Sequence, residues 1–245
     1  MEVFIHSIVT VSPRKIVGKN CAEIHFTGTT LHFPFTPPQE NSGLSSMHAV
    51  PIKEIKKEIH LLKKTVKTII FRGGEPLVQN QGLALLTQTA KECGMFTNLE
   101  TYGTKPVALE GLFKRNLVDI VTLKLYIPLR ESWFSKLRKG TLLQSHKETI
   151  TNIKKSIALM SKQRVKVYVR IMVVPGFLYK VQDIAAIIHT VKDIPHCTIE
   201  LVSYVGHSDQ SIGIKQPSGE FMDDIHQALK EKFPNNHITV VQNIL

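Results

Sequence analysis

The feature that most constrains this chain is an alternation that runs along nearly all of its 245 residues. Apolar, β-branched-rich runs at 22–27, 66–72, 96–101, 117–125, 165–174 and 198–204 read as strands, with 238–242 as a last short one. Between them lie runs with helical spacing, at 52–64, 83–93, 107–115, 147–161, 182–191 and 220–233. The run 147–161 is the clearest, because Ile150, Ile153, Ile157 and Met160 fall on one face. The punctuation agrees. Pro51 stands at the start of the first helix as an N1 proline would, Gly94 follows the second as a C′ residue, and Pro175-Gly176 closes the strand 165–174. Strand-to-helix repeats in series predict an α/β fold, with a parallel sheet and helices outside it. Right-handed crossovers then give either an open doubly wound sheet or a barrel, and the pattern alone does not choose. No linker or internal repeat divides the chain, so residues 1–245 read as one domain. Residues 34–50 are Pro/Ser/Gly-rich and read as a loop, and 130–146 as a polar excursion or lid.

Composition narrows the class. No apolar run approaches the ~20 residues of a membrane span. The start, MEVFIHSIVTV, has an acidic second residue and no basic stretch before its apolar residues, which is unlike a secretory leader. Cys21, Cys93 and Cys197 are odd in number and far apart, which fits a reducing cytoplasm and no disulfide framework. The net charge is +11. Lys53, Lys56, Lys57, Lys63 and Lys64 form one basic stretch, and Lys154, Lys155, Lys162, Arg164 and Lys166 another. These helices could meet RNA or an acidic protein. They could equally be solvated outer faces, since Glu54, Glu58 and Glu148 interleave with the lysines.

In parallel α/β folds, ligands bind where strands end. The strand ends here carry Gly28–Thr36 (GTTLHFPFT), Gly73-Gly74-Glu75-Pro76, Glu100-Thr101-Tyr102-Gly103-Thr104, Lys124 with Tyr126, Arg170 before Pro175-Gly176, and Tyr204-Val205-Gly206-His207. Adjacent glycines after an apolar strand let a ligand approach bare backbone. Four stretches in order, FRGGEPLVQ (71–79), LETYGT (99–104), LVDIVTLKLYIPL (117–129) and VRIMVVPG (169–176), resemble the radical SAM superfamily. Within it they are most similar to the small activases of glycyl radical enzymes and of anaerobic ribonucleotide reductase. The resemblance covers about residues 20–205 and implies the partial (β/α)6 TIM-type barrel of that superfamily, with S-adenosylmethionine (SAM) as ligand.

Carried over residue by residue, the resemblance implies that Gly73, Gly74, Glu75 and Pro76 hold the methionyl ammonium of SAM. It implies that Phe35 packs near the adenine, that Glu100 and Thr101 match the acidic-Thr pair, and that Arg170 reaches the SAM region. The departures are as informative. The family loop binds a [4Fe–4S] cluster through C-x3-C-x2-C, and Thr29, Phe33 and Thr36 stand at those three positions. Cluster iron takes thiolates or occasionally imidazoles; a threonine hydroxyl stays protonated and phenylalanine has no lone pair. No [4Fe–4S] cluster is therefore expected. His25, before the loop, and His32, within it, could bind a metal instead, or be an edge-strand and a loop histidine with no such role.

The family's Asp-x-Lys becomes Lys124-x-Tyr126. The Lys124 ammonium is expected to replace a monovalent cation and pair with Glu100. The family histidine after the last of these strands is Val205, with His207 two residues on. Three readings follow. One is a cluster-free pseudoenzyme acting as a binding, assembly or regulatory partner of a glycyl radical enzyme, an active activase or another metalloenzyme. The second is a non-radical SAM-binding enzyme using Glu75, Glu100, Lys124, His32 and His207. The third is an RNA-binding protein using the basic helices, as in tRNA-modifying members of the superfamily.

Overall fold

A computed structural model describes residues 1–11, 20–36, 49–137, 145–206 and 214–241. The strands are β1 (Glu2–Val11), β2 (Cys21–Phe26), β3 (Ala49–Pro51), β4 (Thr68–Gly73), β5 (Phe96–Thr101), β6 (Ile120–Lys124), β7 (Lys166–Val173), β8 (Thr198–Ser203) and β9 (His237–Val241). The helices are α1 (Ile52–Leu62), α2 (Asn80–Glu92), α3 (Pro106–Lys114), α4 (Glu131–Phe134), α5 (His146–Met160), α6 (Val181–Val191) and α7 (Gly219–Lys232), with a 3₁₀ turn at Pro76–Gln79. They form a nine-stranded sheet in the order β3-β1-β2-β4-β5-β6-β7-β8-β9.

From β2 to β9 every neighbouring pair is parallel and each strand lies beside the next one in sequence. That order settles what the pattern left open. A doubly wound sheet needs a reversal of strand order. Here each right-handed crossover steps the same way, so all helices cover one face and the sheet curls as a partial barrel. The helix-facing residues Ile24, Phe71, Leu99, Leu123, Val169 and Leu201 join one continuous apolar core. A fully buried side chain of this type stabilises by about 1.5–3 kcal/mol.

Each strand and helix expected from the pattern is present, with ends shifted by a few residues. Three elements were not expected. β1 runs antiparallel to β2, and the short β3 pairs with β1 on its far edge. α4 falls in the stretch taken for a polar excursion, where Trp133, Phe134 and Leu137 are buried. Pro51 is the N-cap of α1, not its first helical residue, because it is also the last residue of β3. Ser145 caps α5 by accepting from Glu148 N at 3.2 Å, and Ser218 caps α7 by accepting from Phe221 N at 3.2 Å. Among the described residues no helix is long and apolar enough to cross a membrane.

Candidate functional site

The face of the sheet away from the helices carries charge. A barrel interior is ordinarily filled by branched apolar side chains. Here Glu23, Arg72, Glu100, Arg170 and Glu200 alternate with the helix-facing residues on five strands. Arg170 Nη1 lies 2.9 Å from Glu100 Oε1, and its Nη2 lies 3.2 Å from Glu200 Oε2. Arg72 bridges the next strands, with Nη1 2.9 Å from Glu23 Oε2 and Nε 3.4 Å from Glu100 Oε2. His25 Nε2 closes the chain at 2.9 Å from the same Glu23 oxygen. Arg170, Glu100 and Glu200 are each at most 3% exposed. Burial by itself would lower the Arg170 pKa, but Glu100 and Glu200 overcome it and hold the guanidinium above its usual range. Charges this deep are stable only when paired and hydrogen-bonded.

Above this layer, where the strands end, lies a second constellation. Gly73 closes β4 at φ +109°, and a Cβ there would stand 2.1 Å from Phe26 O, so only glycine lets β4 end against β2. The next peptides tie to the same place: Gly74 N donates to Phe26 O (3.1 Å) and Glu75 N to Gly28 O (2.8 Å). The Glu75 carboxylate is fully buried. It accepts from Thr101 Oγ1 at 2.7 Å, Tyr102 N at 3.0 Å, Thr104 Oγ1 at 3.3 Å and Leu77 N at 3.4 Å. Burial raises its pKa above the usual carboxylate range, against the opposing pull of Thr101, Lys124 and the two peptide N–H groups. Pro76 opens the 3₁₀ turn, buried. At the end of that turn Gln79 binds β1: its Oε1 accepts from Phe4 N and its Nε2 donates to Phe4 O, each at 2.8 Å.

Lys124, on β6, is 4% exposed. Its Nζ donates to Gly73 O at 2.7 Å and Gly74 O at 3.2 Å, and stands 4.1 Å above the Tyr102 ring. The short bonds of Lys124 reach up to the glycine carbonyls, while Glu100 is gripped from within the barrel by Arg170 and Arg72. Arg72 reaches Glu100 from the neighbouring β4, and Arg170 reaches it from β7, two strands away.

The loop 28–36 covers this constellation. Thr29 Oγ1 donates to Leu31 O (2.9 Å), and Thr36 Oγ1 donates to Phe33 O (3.0 Å). Thr30 Oγ1 lies 2.7 Å from Thr104 Oγ1. Phe33 is 2% exposed. Its ring centroid is 5.4 Å from Phe35, 5.5 Å from Tyr102 and 5.4 Å from Tyr126. Phe35 extends the cluster to Phe177 (5.1 Å), and Phe177 to Trp133 (5.8 Å). Aromatic side chains from the ends of β2, β5, β6 and β7 thus converge at the barrel mouth.

The residues at the three loop positions do not fit a [4Fe–4S] cluster: two hydroxyls spend their protons on loop carbonyls, and the third side chain is a buried ring. The cysteines do not compensate. Cys21 opens β2, Cys93 caps the end of α2 and Cys197 precedes β8, so all three lie at the opposite end of the barrel from the loop. Burial pushes the Cys197 thiol up to about 12. Among the described residues no group of three or more His, Cys, Asp or Glu could hold a metal ion.

The structure gathers Gly73, Gly74, Glu75, Thr101 and Lys124 into one constellation, places Glu100 and Arg170 in the ion network below it, and puts Phe35 in the aromatic cluster. Val205 follows β8, and His207 lies outside the described residues. Glu23, Arg72, Glu200, Tyr102 and Thr104 were not singled out from sequence for these roles. A usable signal existed for the first three, because a charged residue in an otherwise apolar strand run must find a partner.

No family model matches the chain. A Methanocaldococcus jannaschii protein named as a glycyl-radical enzyme activating enzyme is 29% identical over 194 residues, 79% of this chain and 77% of the relative. Among solved structures, a radical SAM methyltransferase from Sphaerobacter thermophilus superposes with a TM-score of 0.72 at 12% identity, over 97% of this chain and 70% of that one. QueE from Escherichia coli gives 0.59 at 14% identity, over 99% and 95%. The chain thus has the partial-barrel fold of these radical SAM enzymes, and its four motifs in order resemble that superfamily.

Proposed function

We propose that this chain keeps the radical SAM framework without its radical chemistry, and serves as a binding, assembly or regulatory component of a metalloenzyme complex. The observation that carries this reading is the loop 28–36. Thr29 and Thr36 turn their hydroxyls onto loop carbonyls, and Phe33 is a hub of the aromatic cluster. Ligating positions have become packing positions.

A second observation supports the same reading. The resemblance implies that the glycines of GGEP meet the ammonium of SAM. In this chain the Gly73 and Gly74 carbonyls already accept from the Lys124 ammonium. Glu75 is saturated by donors of the chain itself. No catalytic step is assigned to these residues: they hold one another, and their product is a rigid barrel mouth. The name of the relative from Methanocaldococcus jannaschii supports a glycyl radical enzyme, or its active activase, as the partner.

Anaerobic reconstitution with iron and sulfide, followed by iron and sulfide assay and a visible spectrum, tests the reading. Background iron and no charge-transfer absorption are expected. A stoichiometry of about four irons per chain, the content of a [4Fe–4S] cluster, would overturn it.

A further inference from the structure

The basic residues that stand in two stretches of sequence separate in the fold. Lys53, Lys57, Lys154 and Lys155 lie on the outward faces of α1 and α5. Lys63, Lys64 and Lys67 lie between α1 and β4, and Lys162, Arg164 and Lys166 between α5 and the start of β7; all six are exposed. Because the strands are parallel, every passage from a helix into the next strand emerges at the same end of the sheet, opposite the aromatic mouth. Backbone bonds join this rim side by side. Phe96 N donates to Lys67 O at 2.9 Å, Asp119 N to Thr97 O at 3.1 Å, and Lys166 N to Asp119 O at 3.1 Å. Lys67 and Lys166 are three strands apart, about 14 Å at ~4.8 Å per strand. Lys166 is held over the Tyr168 ring, 4.8 Å from its centroid.

Between the two cationic loops stands Phe96, the first residue of β5 and 49% exposed. The acids nearby are committed. Asp119 accepts from Lys91 Nζ at 2.6 Å and from Thr97 N at 2.8 Å, and Glu92 from Gln88 at 2.8 Å. Cations at helix C-termini complement the helix dipole, which accounts for Lys63. That effect fades within the last turn. It gives no reason for Lys67, Arg164 or Lys166.

We propose that this N-terminal rim binds single-stranded nucleic acid, with phosphates met by the two cationic loops and a base stacked on Phe96. Cations flanking an exposed aromatic ring are the combination that single strands use, whereas an acidic protein surface would leave the ring without a role. The inference is independent of the iron content of the chain.

The test is fluorescence anisotropy of a labelled twenty-residue oligouridylate against the full chain across a salt series. Affinity is expected to fall linearly on a log–log plot, by about 0.7 in slope per phosphate contact. Lys67→Glu with Lys166→Glu should weaken binding and flatten the slope by about 1.4. Phe96→Ala should weaken it roughly 5- to 160-fold with the slope unchanged. Lys154→Glu with Lys155→Glu, on the outward helix face, should leave binding intact, and circular dichroism confirms that each variant is folded. Equal loss from the Lys154/Lys155 pair would overturn the proposal in favour of undirected charge. Equal competition by polyglutamate would replace the nucleic acid with an acidic protein. Duplex binding as tight as single-strand binding and insensitive to Phe96→Ala would remove the stacking role. A labelled oligodeoxythymidylate in parallel tells RNA preference from DNA. No salt-dependent binding to either strand overturns the proposal.

Discussion

The ammonium of Lys124 lies 2.7 Å from the carbonyl oxygen of Gly73, and this bond crosses from β6 to the end of β4 over 51 positions of sequence. It joins the two parts of the barrel mouth that differ most in origin. Gly73 belongs to the stretch most like the superfamily, and Lys124 to one of the clearest departures from it. The positive charge satisfies two carbonyls, caps the Tyr102 ring and offsets the buried charge of Glu75.

Lys124→Met therefore tests a network. Methionine preserves the stem but leaves Gly73 O and Gly74 O without their donor in a buried place. Loss of a charged hydrogen bond costs about 1.5–3 kcal/mol, and a stranded acceptor adds to it. A destabilisation of about 3 kcal/mol is expected in urea titrations. A change below about 0.5 kcal/mol would show that the lysine reaches solvent and that the glycine carbonyls find other donors.

Phe33→Ala addresses the aromatic mouth. Phe33 touches Phe35, Tyr102 and Tyr126, so its removal opens a cavity bounded by rings on several strands. Such a truncation costs about 3–5 kcal/mol. Phe33→Leu, which keeps most of the volume, should recover more than half of that. If alanine proves as stable as the parent in thermal and urea unfolding, Phe33 does not organise the mouth.

Much of this architecture was legible before any coordinate. Apolar runs such as 165–174 name their own strand, and Ile150, Ile153, Ile157 and Met160 name their own helix. Gly73-Gly74-Glu75 marked a site only together with LETYGT and VVPG in order, because alone it equally suits a tight turn from strand to helix. What escaped was information held between strands. Nothing local says that Arg170 chooses Glu100 and Glu200, since those partners stand 70 and 30 positions away. The same holds for Lys124, since the glycine carbonyls it meets stand 51 and 50 positions away. β1 was overlooked because its residues were weighed as a leader and not as an edge, although Val3 and Ile5 alternate into the core. Trp133 and Phe134 were hidden by polar neighbours.

Glu75 predicts a pH dependence. Its folded pKa lies above the ordinary value near 4.5, with desolvation as the leading cause. Between that value and the raised one, the native state holds more protons than the unfolded chain. Stability must then fall as pH rises through this window, and the share contributed by Glu75 is largest at the acid end. Glu75→Gln removes the ionisation but keeps an acceptor for only one of Thr101 Oγ1 and Tyr102 N, which bind different carboxylate oxygens, so a pH-independent loss of stability is expected besides. The stability of this variant should decline less than the parent's between pH 4.5 and neutrality. Parallel curves for the two proteins in urea titrations would show that Glu75 does not carry the dependence.

Arg170 tests the ion network from its centre. It grips both Glu100 and Glu200, with all three buried. Arg170→Met removes the guanidinium that Glu100 and Glu200 share. Breaking a buried pair from one side costs about 3–5 kcal/mol. A buried carboxylate without its partner takes up a proton more readily, so the deficit should be largest at pH 7.5 and shrink toward pH 5. Adding Glu100→Gln to Arg170→Met should cost less than the two single changes together, with a coupling of about 0.5–3 kcal/mol. Urea titrations of the four proteins at both pH values give the cycle directly. Strict additivity together with a pH-independent deficit would mean that Arg170 stabilises the barrel through its aliphatic stem, and that the charges on its two neighbours are satisfied without it.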